Sequence, residues 1–146
     1  MQYQIDQSSK VEQTNQPTVV ALSNGQRKSI KISAVEKQRL IKQFKTFDYP
    51  KHTYIYRIFA GLIFLLIQGV NFKSVEIDVE YSGHENTVKN IVVQLLRKYK
   101  KPIPAISFAL VGKKSNAHKT AIAVLRGREK PTRIIKAKEV LLLFYK

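Results

Sequence analysis

The sequence predicts one α/β domain with a mixed sheet flanked by helices, and three observations carry that expectation. The N-terminal third alternates apolar and polar residues in short runs parted by turn signals. Two further strand-like runs, residues 74–81, which alternate, and 105–111, are interleaved with stretches of helical periodicity. Between these halves lies an unbroken apolar run, residues 58–67, suited to the centre of a core. With 146 residues, 44% of them hydrophobic, residues 1–146 can bury a core as a single domain without disulfide or metal staples.

Each element follows in order. Residues 2–7 alternate, with Tyr3 and Ile5 on one face of a strand and Gln4 and Asp6 on the other. Ser8 and Ser9 predict a turn, and residues 10–14 an antiparallel return that Asn15, Gln16 and Pro17 break. Residues 18–22 are apolar and β-branched, and Asn24-Gly25 signals a hairpin into a partner strand over 27–32. Ser33-Ala34-Val35-Glu36 has the form of a capping box, in which Ser33 accepts from a backbone amide and Glu36 reaches back. A helix to about Phe44 follows, with Val35, Leu40, Ile41 and Phe44 as its apolar stripe. Residues 47–52 form a loop around Pro50, and a core helix covers about 53–70. Crossing a bilayer takes about 20 apolar residues. The run at 58–67, bounded by Arg57 and Gln68, is shorter and predicts a buried helix.

The second half reads as strand 74–81 ended by Gly83, then an amphipathic helix over 86–100 that buries Val88, Ile91, Val92, Leu95 and Leu96. Pro102 and Pro104 punctuate, and strand 105–111 follows. Residues 113–119 predict a basic loop, 120–125 a strand or short helix, 126–133 a turn, and 134–144 a closing strand or helix.

Charge narrows the function. Lys and Arg number 26 against 10 Asp and Glu, a net of +16. Self-repulsion on that scale is relieved by a polyanion, which points to DNA or RNA as partner. An anionic membrane, a ribosomal surface, or a solvated basic surface with no partner are the alternatives. The cations cluster at Lys98, Lys100 and Lys101, at Lys113, Lys114 and Lys119, and at Arg126, Arg128 and Arg133. Gly112 and Gly127 allow a backbone to come close. No base-reading motif accompanies them, so salt-sensitive recognition of backbone or shape is expected. Tyr99, among lysines, either stacks on a base or anchors a helix end.

Several chemistries are excluded. The absence of cysteine removes disulfides, thiolate zinc sites and cysteine nucleophiles. The start of the chain has no basic-then-apolar leader pattern, and a cytoplasmic location is expected. His52, His84 and His118 match no compact zinc spacing, although His84 and His118 remain candidates to line a site. There is no glycine-rich phosphate loop and no G-x-S-x-G elbow.

The acidic residues carry the sharpest signal. Strand alternation puts Glu76, Asp78 and Glu80 on one face of the run at 74–81. Adjacent carboxylates repel unless cations sit among them, either lysines and arginines or a divalent metal. A solvated, salt-bridged strand face and a metal site with phosphodiester chemistry both fit that pattern. Asp6, on the polar face of the first strand, and Glu12 join the set of interest.

The string YQIDQSSKVE, followed by hairpin strands, a helix, EIDVEY and another helix, resembles the ribonuclease H-like superfamily, which includes ribonuclease H, RuvC-type resolvases and transposase cores. The resemblance implies a ribonuclease H-like fold in which Asp6 faces a metal from the first strand. It places Asp78 or Glu80 at the end of the fourth strand, within Asp78-Val79-Glu80-Tyr81, which looks like the family's Asp-x-x-Tyr element. It implies Mg²⁺ or Mn²⁺ held by Asp6, Asp78 and Glu80, with Glu12 or His118 accessory. The family's last carboxylate, near the start of a C-terminal helix, is replaced by Asn116 or His118. That departure leaves open a nuclease with an altered metal site or a non-catalytic DNA-binding, RNA-binding or ribosome-associated protein.

Overall fold

The structure, a computed structural model, describes residues 3–23, 27–47, 53–112 and 115–145. Among them the chain forms a six-stranded mixed sheet and five α-helices. Strands β1 (Tyr3–Ser8), β2 (Thr18–Ser23) and β3 (Arg27–Ile32) make an antiparallel meander. Helices α1 (Ala34–Phe44) and α2 (Tyr54–Ile67) lead to β4 (Ser74–Asp78), which pairs parallel to β1. Helix α3 (Glu85–Lys98) connects to β5 (Ala105–Ala109), parallel to β4. Helix α4 (Asn116–Leu125), β6 (Arg133–Ile135) parallel to β3, and α5 (Ala137–Leu143) complete the order. Across the sheet the strands run β5-β4-β1-β2-β3-β6.

Strand alternation divides the sheet into two unequal faces. Ile5, Val20, Leu22, Ile30, Ile32, Val75 and Ile77 point to one side, where they pack with α1, α2, α3 and α5 in the main core. Every residue of α2 from Ile58 to Ile67 is buried there, so the helix is apolar all round, as a central helix must be. At Gly61 an added Cβ would come within 3.1 Å of Val140 Cγ1, so the missing side chain lets α5 close against α2. Among the described residues no helix is long and apolar enough to cross a membrane.

On the opposite face a second, smaller core joins Val19 and Ala21 to Ala121 and Val124 of α4. Its small side chains let α4 lie close over β1, β2 and β3. The topology explains why α4 is there. β5 and β6 are the two edges of the sheet, and the chain joining them must cross it. The main face is already occupied, so the crossing helix takes the other.

Several expectations change. Residues 10–14 are not a strand: Ser9 adopts a left-handed φ of 63°, the chain turns, and the partner of β1 is β2, in a register that sets Asp6 opposite Ala21. The turn is fastened by Lys37, fully buried on α1, whose Nζ donates to the carbonyls of Lys10 and Gln13 and to Thr18 Oγ1 at 3.3, 2.7 and 2.9 Å. Ser33 caps α1 by accepting from the Glu36 amide at 3.2 Å, but Glu36 does not reach back. It accepts from the Ala137 amide and from Arg39, so it fixes the start of α5. Val35 is 58% exposed and lies outside the apolar stripe. The predicted basic loop is shorter than expected, because helix α4 begins at Asn116, capped by Ser115, and takes in His118 and Lys119. The region over 134–144 is both strand and helix, since β6 and α5 share it. The Asn24-Gly25 hairpin, Pro50, His52, Lys113 and Lys114 lie outside the described residues.

Candidate metal-binding site

The site is built at the ends of two neighbouring strands. The parallel register of β1 and β4 pairs Gln4 with Glu76 and Ile5 with Ile77, so the next step sets Asp6 beside Asp78. Both point to the α4 face, because Ile5 and Ile77 point into the main core. Glu80 joins them by a different route. The strand stops at Asp78, so Glu80 is not held there by alternation. The Val79 amide donates to the Ala109 carbonyl at 3.1 Å. Tyr81 then plants its ring edge-on against Phe59 and Tyr56, at centroid distances of 5.3 and 5.7 Å. Its hydroxyl receives the Val11 amide at 3.3 Å and donates to Glu12 Oε1 at 3.2 Å. Pinned on both sides, Glu80 turns back to the aspartates. One oxygen from each of Asp6, Asp78 and Glu80 lies within 4.8 Å of the others, a group that could hold a metal ion. Glu76 shares their face but sits one pleat lower, where Gln4 Nε2 donates to it at 3.1 Å.

Backbone and helix groups fix the aspartates. Asp6 is only 2% exposed. Its Oδ1 accepts from the Gln7 amide at 2.8 Å, and its Oδ2 faces His118 Nδ1 at 2.6 Å. Asp78 Oδ1 accepts from the Val111 amide at 2.7 Å. His118 reaches Asp6 because Ser115 caps α4 by accepting from the His118 amide at 3.1 Å, which sets the first turn against β1.

The electrostatics match the crowding. Glu80 keeps its proton far above the usual carboxylate range, pushed up to about 9 by burial and then by hydrogen bonds to Asp78 and Asp6. Burial also raises Asp6, while the hydrogen bonds from His118 and Glu80 pull the other way. Like charges at this spacing cannot all ionise without a counter-charge. A proton supplies part of it here, and a cation would supply more, so the all-oxygen donor set fits a hard metal ion.

The other candidates are placed as follows. Glu12 is tied to the Tyr81 hydroxyl at the rim and is not among the three converging carboxylates. Exposed His84 precedes α3 and stacks on Tyr56 at 4.4 Å. Asn116 is exposed in the first turn of α4, and His118, not Asn116, meets Asp6. Lys119 is exposed on α4 next to His118. Arg126 and Arg128 are exposed after the far end of α4, about 15 Å along its axis. There Gly127 takes a left-handed φ of 77°, as its lack of Cβ permits.

Lys98, Lys100 and Lys101 lie at the C-terminal end of α3, about 20 Å from its acidic-site end. The structure does not bring them to the carboxylates. Lys98 Nζ donates to the Leu143 carbonyl at 2.8 Å and to that of Tyr145, and so ties down the C-terminal segment. Arg133 pairs with Glu139. Tyr99 packs its ring against Phe64 at 5.4 Å, the helix-anchor arrangement.

Sequence reasoning did not find the Val111 and Gln7 amides, because backbone donors leave no signature in residue type. Ser115 was findable: a Ser directly ahead of a helical segment is an N-cap signal. Comparison with family models, with curated proteins and with solved structures found no match to this chain.

Proposed function

We propose that this chain is a ribonuclease H-like domain that binds DNA or RNA and cleaves phosphodiester bonds with Mg²⁺ or Mn²⁺ held by Asp6, Asp78 and Glu80. The observation that carries the proposal is the convergence of three carboxylates, in a chain of net charge +16, on one side of the sheet. A basic protein that collects its scarce acids in one place gains a site where a cation, and through it a phosphate, can be held. The order of elements supports the same reading, with an acidic first strand, a hairpin, helices, an acidic fourth strand and a late helix that meets the first acid.

Oxygen donors suit Mg²⁺ and Mn²⁺. When bound, such an ion supplies an activated water and stabilises the leaving oxygen of the phosphodiester. The chain's own residues do the rest. The Gln7 and Val111 amides and His118 fix the aspartates, and Tyr81 fixes Glu80. Lys119, with Lys113 and Lys114 just ahead of α4 in sequence, supplies positive charge for the nucleic-acid backbone.

The test is cleavage of labelled single strands, duplexes, RNA–DNA hybrids and branched junctions with Mg²⁺, Mn²⁺ or EDTA. Metal-dependent cutting that Asp6→Asn/Asp78→Asn loses is the expected result. A second reading, a non-catalytic nucleic-acid-binding or ribosome-associated protein, draws on the imidazole of His118 facing Asp6 where the resemblance implies a carboxylate. Salt-sensitive binding without cutting by either protein would select it.

A further inference from the structure

We infer that the carboxylate cluster takes a single divalent ion, and that His118 is the positioning side chain that limits it to one. The inference rests on the metal reading above and concerns how many ions the chain's own groups can hold.

The oxygen inventory is short. Three carboxylates offer six oxygens, and three of these already accept hydrogen bonds from the protein: Asp6 Oδ1 from the Gln7 amide, Asp6 Oδ2 from His118, and Asp78 Oδ1 from the Val111 amide. Asp78 Oδ2 and the two oxygens of Glu80 have none of these backbone or imidazole partners, and the hydrogen bonds from Glu80 to Asp78 and Asp6 run through a proton that a bound ion displaces. A single ion that keeps most of its waters needs only a couple of protein carboxylates. A pair of ions sits about 3.5–4 Å apart, and the second needs ligands of its own in addition to any bridging carboxylate.

Those ligands would have to come from α4, the helix packed over β1 and β2 on the face that carries Asp6. It has no carboxylate to give. The sequence contains no Asp or Glu between Glu85 and Glu129, a span that includes all of α4. The group that α4 does deliver is an imidazole, 2.6 Å from Asp6 Oδ2. With Asp6 ionised, Nδ1 carries the proton and donates, because a carboxylate can only accept. A protonated ring nitrogen at that distance fills the space on Asp6 that a second ion would occupy. Glu12 is held at the rim by Tyr81 and is not in the cluster.

The experiment counts Mn²⁺ bound to the full chain by the paramagnetic resonance of the free ion, with no nucleic acid present. Ions that remain on Asp6→Asn/Asp78→Asn are subtracted as surface ions. One ion is expected for the wild type and one for His118→Asn, which removes the imidazole and adds no carboxylate. Two are expected for His118→Asp, which puts an oxygen ligand at the start of α4. Two ions on the wild type would overturn the inference and leave the metal reading standing. None would overturn both. A folded His118→Asp chain, by circular dichroism and melting, that still binds one ion would show that residue 118 does not set the number. If that variant does not fold, His118→Glu is counted in its place, and one ion on it overturns the role of residue 118.

Discussion

On one face of the sheet, Ile5, Val20, Ile30 and Val75 lie beneath four helices; on the other, Asp6, Val19 and Ala21 lie beneath one. The strands are shared, and alternation alone sends neighbouring residues to opposite environments. The main face is continuous apolar packing around α2, where volume and shape decide stability. The α4 face has a core of only a few small side chains and crowds three carboxylates beside it. Repulsion among them is relieved by a proton on Glu80 and by hydrogen bonds from the Gln7 and Val111 amides and His118. The molecule thus keeps its stability on one face and its chemistry on the other. One face holds the fold together, and the other carries an arrangement that costs stability and has no packing purpose.

Altering each face in turn and reading both properties tests this division of labour. Asp6→Asn/Asp78→Asn should abolish metal-dependent cleavage and bound Mn²⁺, with a melting temperature equal to or above the wild type because like charges have been removed. A fall in stability without loss of ion binding would place these carboxylates in a structural role. Phe64→Ala is the mirror case. The ring is fully buried on α2, and its loss should cost about 3–5 kcal/mol in urea unfolding. Below its new melting point this variant should still bind the ion.

Lys37→Met sharpens the picture at the boundary of the main face. It leaves the Lys10 and Gln13 carbonyls without their ammonium partner and should cost about 1–3 kcal/mol. It should also loosen the turn that carries Val11 and Glu12 against Tyr81, which is read by proteolysis between residues 9 and 17.

The pH dependence of stability separates the faces again. Folded Glu80 holds its proton up to about 9, against an ordinary value of 4.5, mainly through burial. Between those limits the folded chain binds the extra proton, so this group's contribution is full below 4.5 and is lost as pH rises through 9. Urea melts across that window should show stability falling with pH. Glu80→Gln should flatten the fall, and saturating Mg²⁺ should reduce it by replacing the proton.

The smallest effects belong to the basic surface. Lys119→Ala and Arg126→Ala should each lower the salt slope of nucleic-acid binding by about 1, with little change in stability. Lys98→Ala and Arg133→Ala remove internal ties to Tyr145 and Glu139 and should show in the melting temperature more than in the salt slope.

Much of this molecule was legible in one dimension. Alternation gave the meander strands β1–β3 and the faces of Asp6 and Asp78, because the period of a strand is a local property of the backbone. The apolar run at 58–67 gave a buried helix, because a helix without a polar side has nowhere else to go. The Ser33 cap gave the start of α1, since its hydrogen bond spans only three residues. Other features depended on partners far apart in sequence. That β2, and not residues 10–14, pairs with β1 followed from the left-handed turn at Ser9 and the grip of Lys37 on the Lys10 and Gln13 carbonyls. Glu80 entered the cluster because Tyr81 found Phe59 and Val11, not because a strand continued to it. His118, not Asn116, met Asp6 because the chain between the two edge strands had to cross the free face of the sheet and the Ser115 cap set the first turn of α4 against β1. Residue type and spacing determined which groups were available and which way each strand turned them. Only the packing of distant segments decided which groups met, because that choice depends on which surfaces the rest of the chain has already covered.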